Sequence, residues 1–376
     1  MKIIIAGGGT GGHLFPGLAL AEELKRRDDK TDVIFVGTVG GIEARIIPRE
    51  GYPIRFVRSE GFVGKSPLKK MKAAAKAVLS VFDSYGILKA VRPDMVIGVG
   101  GYASGAIVLI AAMKSIPTMI HEQNSVPGLT NKLLGKVVRR VCVTYHESLS
   151  FFPLGKTFLT GNPIRLKITR GDREAACRLF SLDKGLFTVF VFGGSSGARS
   201  INRVMVDALN HLADLKEKIQ FLHQTGDRDF ENIREAYRKA GVKGTVAPFI
   251  YQMAEAYAAA DAVVSRAGAT TLAELTALGK PAILVPYPYA AGRHQEFNAM
   301  KLREMGAAYV MLETEMTGED LAKNIRELYE TDAVRLDMAK ASRGLGRPDA
   351  CSRIADIAVS LMKEKQNTKM IRRVSV

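Results

Sequence analysis

Short β-branched runs ending at Gly, Asn or Pro alternate along the chain with longer stretches of helical periodicity, the pattern of parallel βαβ units. In the first half these runs predict strands at Lys2–Ala6, Asp32–Val36, Ile54–Val57, Met95–Ile97, Thr118–Ile120 and Arg140–Val143, with helices between them. In the second half they predict strands at Phe187–Phe192, Ile219–His223, Thr245–Ala247, Ala262–Ser265, Ala282–Val285 and Ala308–Met311. The pattern restarts after Gly161-Asn-Pro-Ile-Arg165, whose breakers make it the hinge candidate; a surface loop within one large sheet is the alternative. The fold class is therefore α/β, with two Rossmann-like domains at 1–160 and 161–345. Residues 346–376 form a closing segment, in which Pro348–Lys363 reads as a helix and the basic remainder as a disordered tail.

Composition agrees with two ordinary cores. The chain has 376 residues, 47% hydrophobic and 24% charged, which excludes disorder as the main state. Its formal net charge is +16, and residues 1–160 hold 22 basic and 12 acidic side chains, so the excess is concentrated there. An anionic partner follows, of which nucleic acid, anionic lipid and phosphorylated substrates are the classes. Absence of Trp and an aromatic content of 7% argue against a surface built to stack bases. Cys142, Cys177 and Cys351 are far apart and without CxxC spacing, which supports neither a disulfide framework nor a zinc site. No signal-peptide pattern precedes the first strand, so the chain is expected to begin as mature fold. The uncharged, mostly apolar run Val99–Met113 contains Gly, Tyr and Ser and falls short of the roughly 20 apolar residues that span a bilayer, so membrane contact is expected to be peripheral.

Three glycine-rich loops follow strands and open helices: Gly7-Gly-Gly-Thr-Gly-Gly-His13, Gly98-Val-Gly-Gly-Tyr-Ala-Ser-Gly105 and Gly193-Gly-Ser-Ser-Gly197. Glycines allow close backbone approach, and a helix start offers free N–H groups to a diphosphate. A helix is expected to start near Leu14 after the first loop. Gly7, Gly9 and Gly12 fit GxGxxG, but a dinucleotide fold also needs an acidic residue at the end of the second strand. That strand ends Val36-Gly37-Thr38 and Asp32 lies at its other end, which argues against NAD and FAD. Ligands of open α/β sheets bind at strand carboxyl ends, which makes the crevice between the domains the expected site. In Arg266-Ala-Gly-Ala-Thr-Thr-Leu-Ala-Glu274, the Thr270 and Thr271 hydroxyls at a helix start suit phosphate, and Glu274 one turn on suits a ribose diol.

Five motifs then carry a resemblance in order along nearly the whole chain. Gly7-Gly-Gly-Thr-Gly-Gly-His-Leu-Phe-Pro-Gly17, Gly100-Gly-Tyr-Ala-Ser-Gly105, His121-Glu-Gln-Asn-Ser-Val-Pro-Gly-Leu-Thr-Asn131, Gly161-Asn-Pro-Ile-Arg165 and His223-Gln-Thr-Gly226 resemble the MurG family of peptidoglycan glycosyltransferases. The resemblance implies a GT-B fold, two Rossmann-like domains facing a cleft. The first would face acceptor and membrane, and the second would hold UDP-GlcNAc. The implied reaction is transfer of N-acetylglucosamine from UDP-GlcNAc to lipid I, giving lipid II. Implied donor contacts are Thr10, Gly11, Gly12, Asn124, Arg165, Ser195, Ile250, Ala269, Thr270, Thr271, Leu272, Ala273, Glu274 and Gln295. Ile250 would use backbone groups on the uracil edge and Gln295 would grip sugar hydroxyls. Ser196 stands where the family usually has Gln, which puts that side chain's contact in doubt.

An α-linked donor and a β-linked product imply inversion by single displacement, which needs one base within reach of the acceptor hydroxyl. His13 is the first candidate, Glu122 the second, and Tyr102 a residue that positions acceptor. No metal and no cofactor is expected: Asp227-Arg-Asp229 has DxD spacing, but it opens a helix, where Asp serves as a cap. Between Lys65 and Tyr85, Leu68, Met71, Ala75, Val78, Leu79 and Phe82 share one helical arc beside Lys65, Lys69, Lys72 and Lys76. Such a stripe suits an anionic cytoplasmic membrane surface. Other cell-wall synthesis proteins are further candidate partners, and nucleic acid is not. The rival readings are a glycolipid glycosyltransferase or a UDP-GlcNAc 2-epimerase of the same fold, and a noncatalytic nucleotide- or nucleic-acid-binding protein.

Overall fold

Ile3 and Ile5 of the first strand face one hydrophobic cluster, Ile4 and Ala6 face another, and all four are fully buried. A strand that is apolar on both sides belongs in a parallel sheet covered by helices on both faces. The computed structural model describes residues 1–60, 67–194 and 197–374, and the side chains of 67–75, 291 and 365–374 lie outside the description. Ser195, Ser196, Lys65 and the side chains of Leu68, Lys69, Met71, Lys72 and Ala75 therefore lie outside the described residues.

The chain divides into two units, Met1–Arg165 with Pro348–Val376, and Leu166–Arg347. The first holds a seven-stranded parallel sheet of β1 (Lys2–Ala6), β2 (Asp32–Gly37), β3 (Ile54–Phe56), β4 (Met95–Gly98), β5 (Thr118–Glu122), β6 (Arg140–Val143) and β7 (Thr157–Leu159), in the order β3-β2-β1-β4-β5-β6-β7. The second holds a six-stranded parallel sheet of β8 (Phe187–Phe192), β9 (Ile219–Gln224), β10 (Lys243–Ala247), β11 (Ala262–Ser265), β12 (Ala282–Leu284) and β13 (Tyr309–Val310), in the order β10-β9-β8-β11-β12-β13. In β8, Val189 and Val191 join one core cluster and Phe190 and Phe192 the other, so this sheet too is covered on both faces.

Every run read as a strand is one, within a residue or two at its ends. The strand the pattern missed is β7, a three-residue edge strand whose Phe158 and Leu159 are exposed, so no buried run marks it. Two expectations are corrected. The closing helix begins at Ala350 and continues to Val374, so the segment read as a disordered tail is helical backbone. That helix belongs to the first unit: it packs on the helix Gly11–Arg27, fully burying Ile354, Ala355 and Ala358, and Arg27 pairs with Asp356 at 2.5 Å. The division between units falls after Arg165, at the far end of the Gly161–Arg165 segment.

Candidate functional site

In the first unit β1 and β4 are neighbours although β2 and β3 lie between them in sequence, so the strand order reverses there. Loops leaving two such strands diverge to opposite faces and open the place where these sheets bind ligands. The first two glycine loops leave from this point. After β1 the helix starts at Gly11, three residues before the expected position, because glycines are tolerated in a first turn whose N–H groups have no intrahelical acceptor. His13 is therefore a first-turn residue of that helix and not part of the loop. Gly100 (φ +93°) passes so close that a Cβ there would lie 2.6 Å from His13 Nδ1. Only glycine lets the second loop run beside this imidazole.

A carboxylate that sequence reading missed holds the first loop. Glu43 is 1% exposed. Its Oε2 accepts the Gly9 N–H at 2.8 Å, and its Oε1 accepts the Thr38 N–H at 2.8 Å and the Thr38 hydroxyl at 2.9 Å. A Cβ on Gly8 or Gly41 would lie within 2.3 Å of this carboxyl group. The Gly9 amide is committed to an internal anion, which narrows the expected diphosphate contacts of this loop to Thr10 and beyond. Beside it lies a cavity of about 500 Å³ lined in part by Gly8, Thr38, Arg58, Ser59 and Tyr102. Tyr102, 44% exposed, opens the helix Tyr102–Met113 and lines this cavity.

The motif starting at His121 ends β5, and its His121, Glu122, Gln123 and Asn131 are buried. Glu122 is 1% exposed and accepts from Asn124 N (3.0 Å), Asn124 Nδ2 (3.2 Å), Gly128 N (3.2 Å) and Asn131 Nδ2 (2.9 Å). Four donors on one carboxylate make it the anchor of the 122–131 loop, with the expected donor ligand Asn124 turned towards it. Gln123 donates from Nε2 to Val99 O (2.8 Å) and lies 3.1 Å from His121 Nδ1 by the same atom; its Oε1 is 3.2 Å from His13 Nδ1. His121 Nε2 is 3.0 Å from Gly161 O. Complete burial lowers the His121 pKa to about 4, so it is neutral at cell pH. Arg165 lies buried with its guanidinium 4.9 Å from the Phe15 ring centre and 3.6 Å from Glu50, and its Nε meets no partner among the described residues.

In the second unit the order reverses between β8 and β11; of the other expected contacts, Ser195 and Ala269–Glu274 come after these strands in sequence, whereas Ile250 comes after β10 and Gln295 after β12. Gln224, at the end of β9, donates to Gly194 O (2.9 Å) and accepts the Ile250 N–H (2.9 Å). Of the Ile250 backbone groups expected to face uracil, the N–H is thus already used. The helix Ala269–Leu278 follows β11 with Gly268 as N-cap and no side-chain cap, leaving Thr270 and Thr271 in its first turn. Leu272 is in the core, so a contact there is through backbone. Ala273 lies half-buried in the same helix, and Glu274 is buried with Oε2 accepting the Tyr257 hydroxyl at 2.8 Å. Gln295 Oε1 accepts the Tyr287 N–H at 3.0 Å.

Residues of two further motifs bond to the protein's own side chains. His223, whose pKa burial lowers to about 3, lies between the Tyr237 hydroxyl (3.0 Å) and Asn202 Oδ1 (3.1 Å). Asp229 occupies the N-cap position of the helix Phe230–Ala240 as expected, but its side chain makes no capping bond; it accepts from Asn202 Nδ2 at 2.8 Å. Sequence reading missed Glu43, Tyr257, Gln224 and the role of Gln123. The one signal available was a buried polar residue inside an otherwise apolar strand end, which fits Gln224.

Comparison with known proteins adds identity to this geometry. Residues 3–143 match the glycosyltransferase family 28 N-terminal domain and residues 188–354 its C-terminal domain. The chain is 50% identical over 366 residues, 97% of its length and 100% of the relative's, to the UDP-N-acetylglucosamine–N-acetylmuramyl-(pentapeptide) pyrophosphoryl-undecaprenol N-acetylglucosamine transferase of Thermodesulfovibrio yellowstonii. Among solved structures it is similar to Acinetobacter baumannii MurG, with TM-score 0.73 and 30% identity, covering 95% of this chain and 98% of that one. A putative UDP-N-acetylglucosamine 2-epimerase from Listeria monocytogenes shares the fold alone, at TM-score 0.68 and 14% identity over 96% of this chain and 97% of that one.

Proposed function

The chain belongs to the MurG family within glycosyltransferase family 28, and from that membership we propose that it transfers N-acetylglucosamine, with inversion, from UDP-GlcNAc to the MurNAc 4-hydroxyl of lipid I, forming lipid II. The full-length likeness to the pyrophosphoryl-undecaprenol transferase carries this reading. In the reaction the acceptor oxygen bonds to the anomeric carbon, the bond from that carbon to the UDP oxygen breaks, and the hydroxyl proton passes to a base. His13 serves as that base: it stands at the strand-order reversal in the first turn of its helix. Glu122, with four donors on its carboxylate, serves the loop. In the first unit Thr10, Gly11, Gly12, Asn124 and Arg165 contact the donor, and the Arg165 Nε, which meets no partner among the described residues, is a donor atom suited to phosphate. In the second unit the diphosphate takes the N–H groups and hydroxyls at the start of Ala269–Leu278, which are fixed before charge builds on the leaving group. Ser195 joins them, Glu274 binds the ribose diol, the Ile250 carbonyl faces uracil, and Gln295 holds the sugar.

Attachment to the cytoplasmic face of the membrane is peripheral in this reading. Among the described residues no helix is long and apolar enough to cross a bilayer. Support comes from the helix Pro67–Val91, where Val78 and Phe82 are 59% and 68% exposed and Leu79 and Tyr85 are exposed beside them. Exposed Leu109 and Met113 lie on the helix packed against it, and Lys114 sits over the Tyr85 ring at 4.4 Å. An apolar face edged by lysine fits anionic lipid.

The test is incubation with labelled UDP-GlcNAc and a soluble short-chain lipid I analogue, with and without EDTA, following both label and UDP. An acceptor-dependent β-linked GlcNAc-MurNAc product supports the reading. UDP-ManNAc formed without acceptor would replace it with epimerisation, and activity abolished by EDTA and restored by Mg²⁺ would replace the metal-free mechanism.

A further inference from the structure

The bonds running from Gly161 to His13 leave only one arrangement of protons. Gly161 O accepts only, so the His121 nitrogen 3.0 Å from it, Nε2, carries the hydrogen. His121 is neutral, so its Nδ1 holds a lone pair and accepts from the Gln123 amide at 3.1 Å. The same amide nitrogen donates to Val99 O at 2.8 Å. Turning the amide over would set its oxygen against a carbonyl and a lone pair, so the oxygen must point to His13. Two acceptors cannot face each other at 3.2 Å, and His13 Nδ1 therefore bears a hydrogen whether the ring is neutral or charged. The proton that this imidazole gains and loses is the one on Nε2.

We propose that Gln123 is a positioning residue that locks His13 in its Nδ1–H tautomer, so that Nε2 is the atom that takes the acceptor's proton. The inference rests on His13 being the base. Its logic is that of a catalytic histidine oriented by a second group, with a neutral amide backed by a buried histidine in place of a carboxylate. Burial maintains the amide's orientation: Gln123 is 1% exposed and His121 is fully buried, so water does not compete for the Gln123 bonds to Val99 and His121. Gly100 belongs to the same device, because any side chain there would push the imidazole from Gln123.

Heteronuclear NMR of the imidazole nitrogens, on the full chain at neutral pH with His13 assigned by its substitution, reads the tautomer directly. The expected wild-type spectrum has His13 protonated at Nδ1 and bare at Nε2. Gln123→Met, similar in length but unable to hydrogen-bond, is expected to give mixed tautomers and a kcat lowered about tenfold, with the donor KM unchanged. Wild-type His13 protonated at Nε2 and bare at Nδ1 overturns the proposal, even if the variant fails to fold. So does a Gln123→Met enzyme that keeps both tautomer and kcat. His13→Ala separates the premise: near-wild-type turnover in that variant removes His13 as the base and leaves the tautomer measurement standing.

Discussion

Tyr257 is fully buried and gives its phenolic hydrogen to Glu274 Oε2 at 2.8 Å, while its ring packs edge-on to Phe190 and Phe192. The phenol thereby sets the direction of the carboxylate proposed to bind the ribose diol. Tyr257→Phe keeps the packing and removes the bond. A hydrogen bond of this kind is worth ~1 kcal/mol, so the expected result is about fivefold weaker UDP binding by calorimetry. Binding of 2′-deoxy-UDP should change less. An equal loss for both nucleotides would assign Tyr257 to packing alone.

The Glu43 carboxylate joins the end of β2 to the first glycine loop through the Thr38 and Gly9 amides. Glu43→Ala leaves both N–H groups unpaired beside a void that three glycines border. Each unpaired buried donor costs about 1–3 kcal/mol, so unfolding by urea should show a loss of several kcal/mol. Glu43→Gln, which keeps the shape and part of the bonding, should lose less. Equal stability of the alanine variant and wild type would show that the loop holds itself.

His121 and His223 hold pKa values of about 4 and about 3, burial being the first cause of each. The unfolded chain takes up these protons as pH falls below about 6.5, and the folded chain does not until pH reaches the lower values. Stability is therefore full above about 6.5 and falls towards pH 4, by as much as about 1.4 kcal/mol per pH unit for each histidine. Urea denaturation across that range checks the slope. His223→Gln, which can still meet Asn202 or Tyr237, should have a shallower slope than wild type; identical slopes would mean that His223 titrates normally in the fold.

Exposed Phe82 and Val78 are the expected apolar contacts with lipid. Burying such a side chain is worth about 1.5–3 kcal/mol, so Phe82→Ser should weaken binding to anionic vesicles by about tenfold to a hundredfold in a sedimentation assay. Lys76 already pairs with Glu60 at 2.7 Å, so Lys76→Glu by itself should weaken binding less than Phe82→Ser. Wild-type binding that is equal on neutral vesicles and indifferent to salt would remove the electrostatic part.

The two sheets were legible in the chain because strand burial is a local signal: Ile3-Ile4-Ile5 or Val189-Phe190-Val191 is apolar whatever lies across from it. The glycine loops were legible for a related reason, since a backbone that turns sharply after a strand needs glycine in place. β7 and the extent of the last helix were not, because an exposed edge and a basic helical end carry no apolar pattern. The sequence reading named His13 and Glu122 as base candidates and quoted Gln123 within a motif, but it did not give the bonds that each side chain makes. His13 and Gln123 lie 110 positions apart, Glu43 and Gly9 lie 34 apart, and Tyr257 and Glu274 lie 17 apart. Side-chain partnership at those separations depends on strand order and on which loops leave the same end of a sheet. The sequence by itself determined the elements, through period and turn chemistry; only the tertiary structure decided which carboxylate anchors a loop, which amide orients the histidine and which hydroxyl aims a carboxylate, because hydrogen bonds are set by atomic direction and burial.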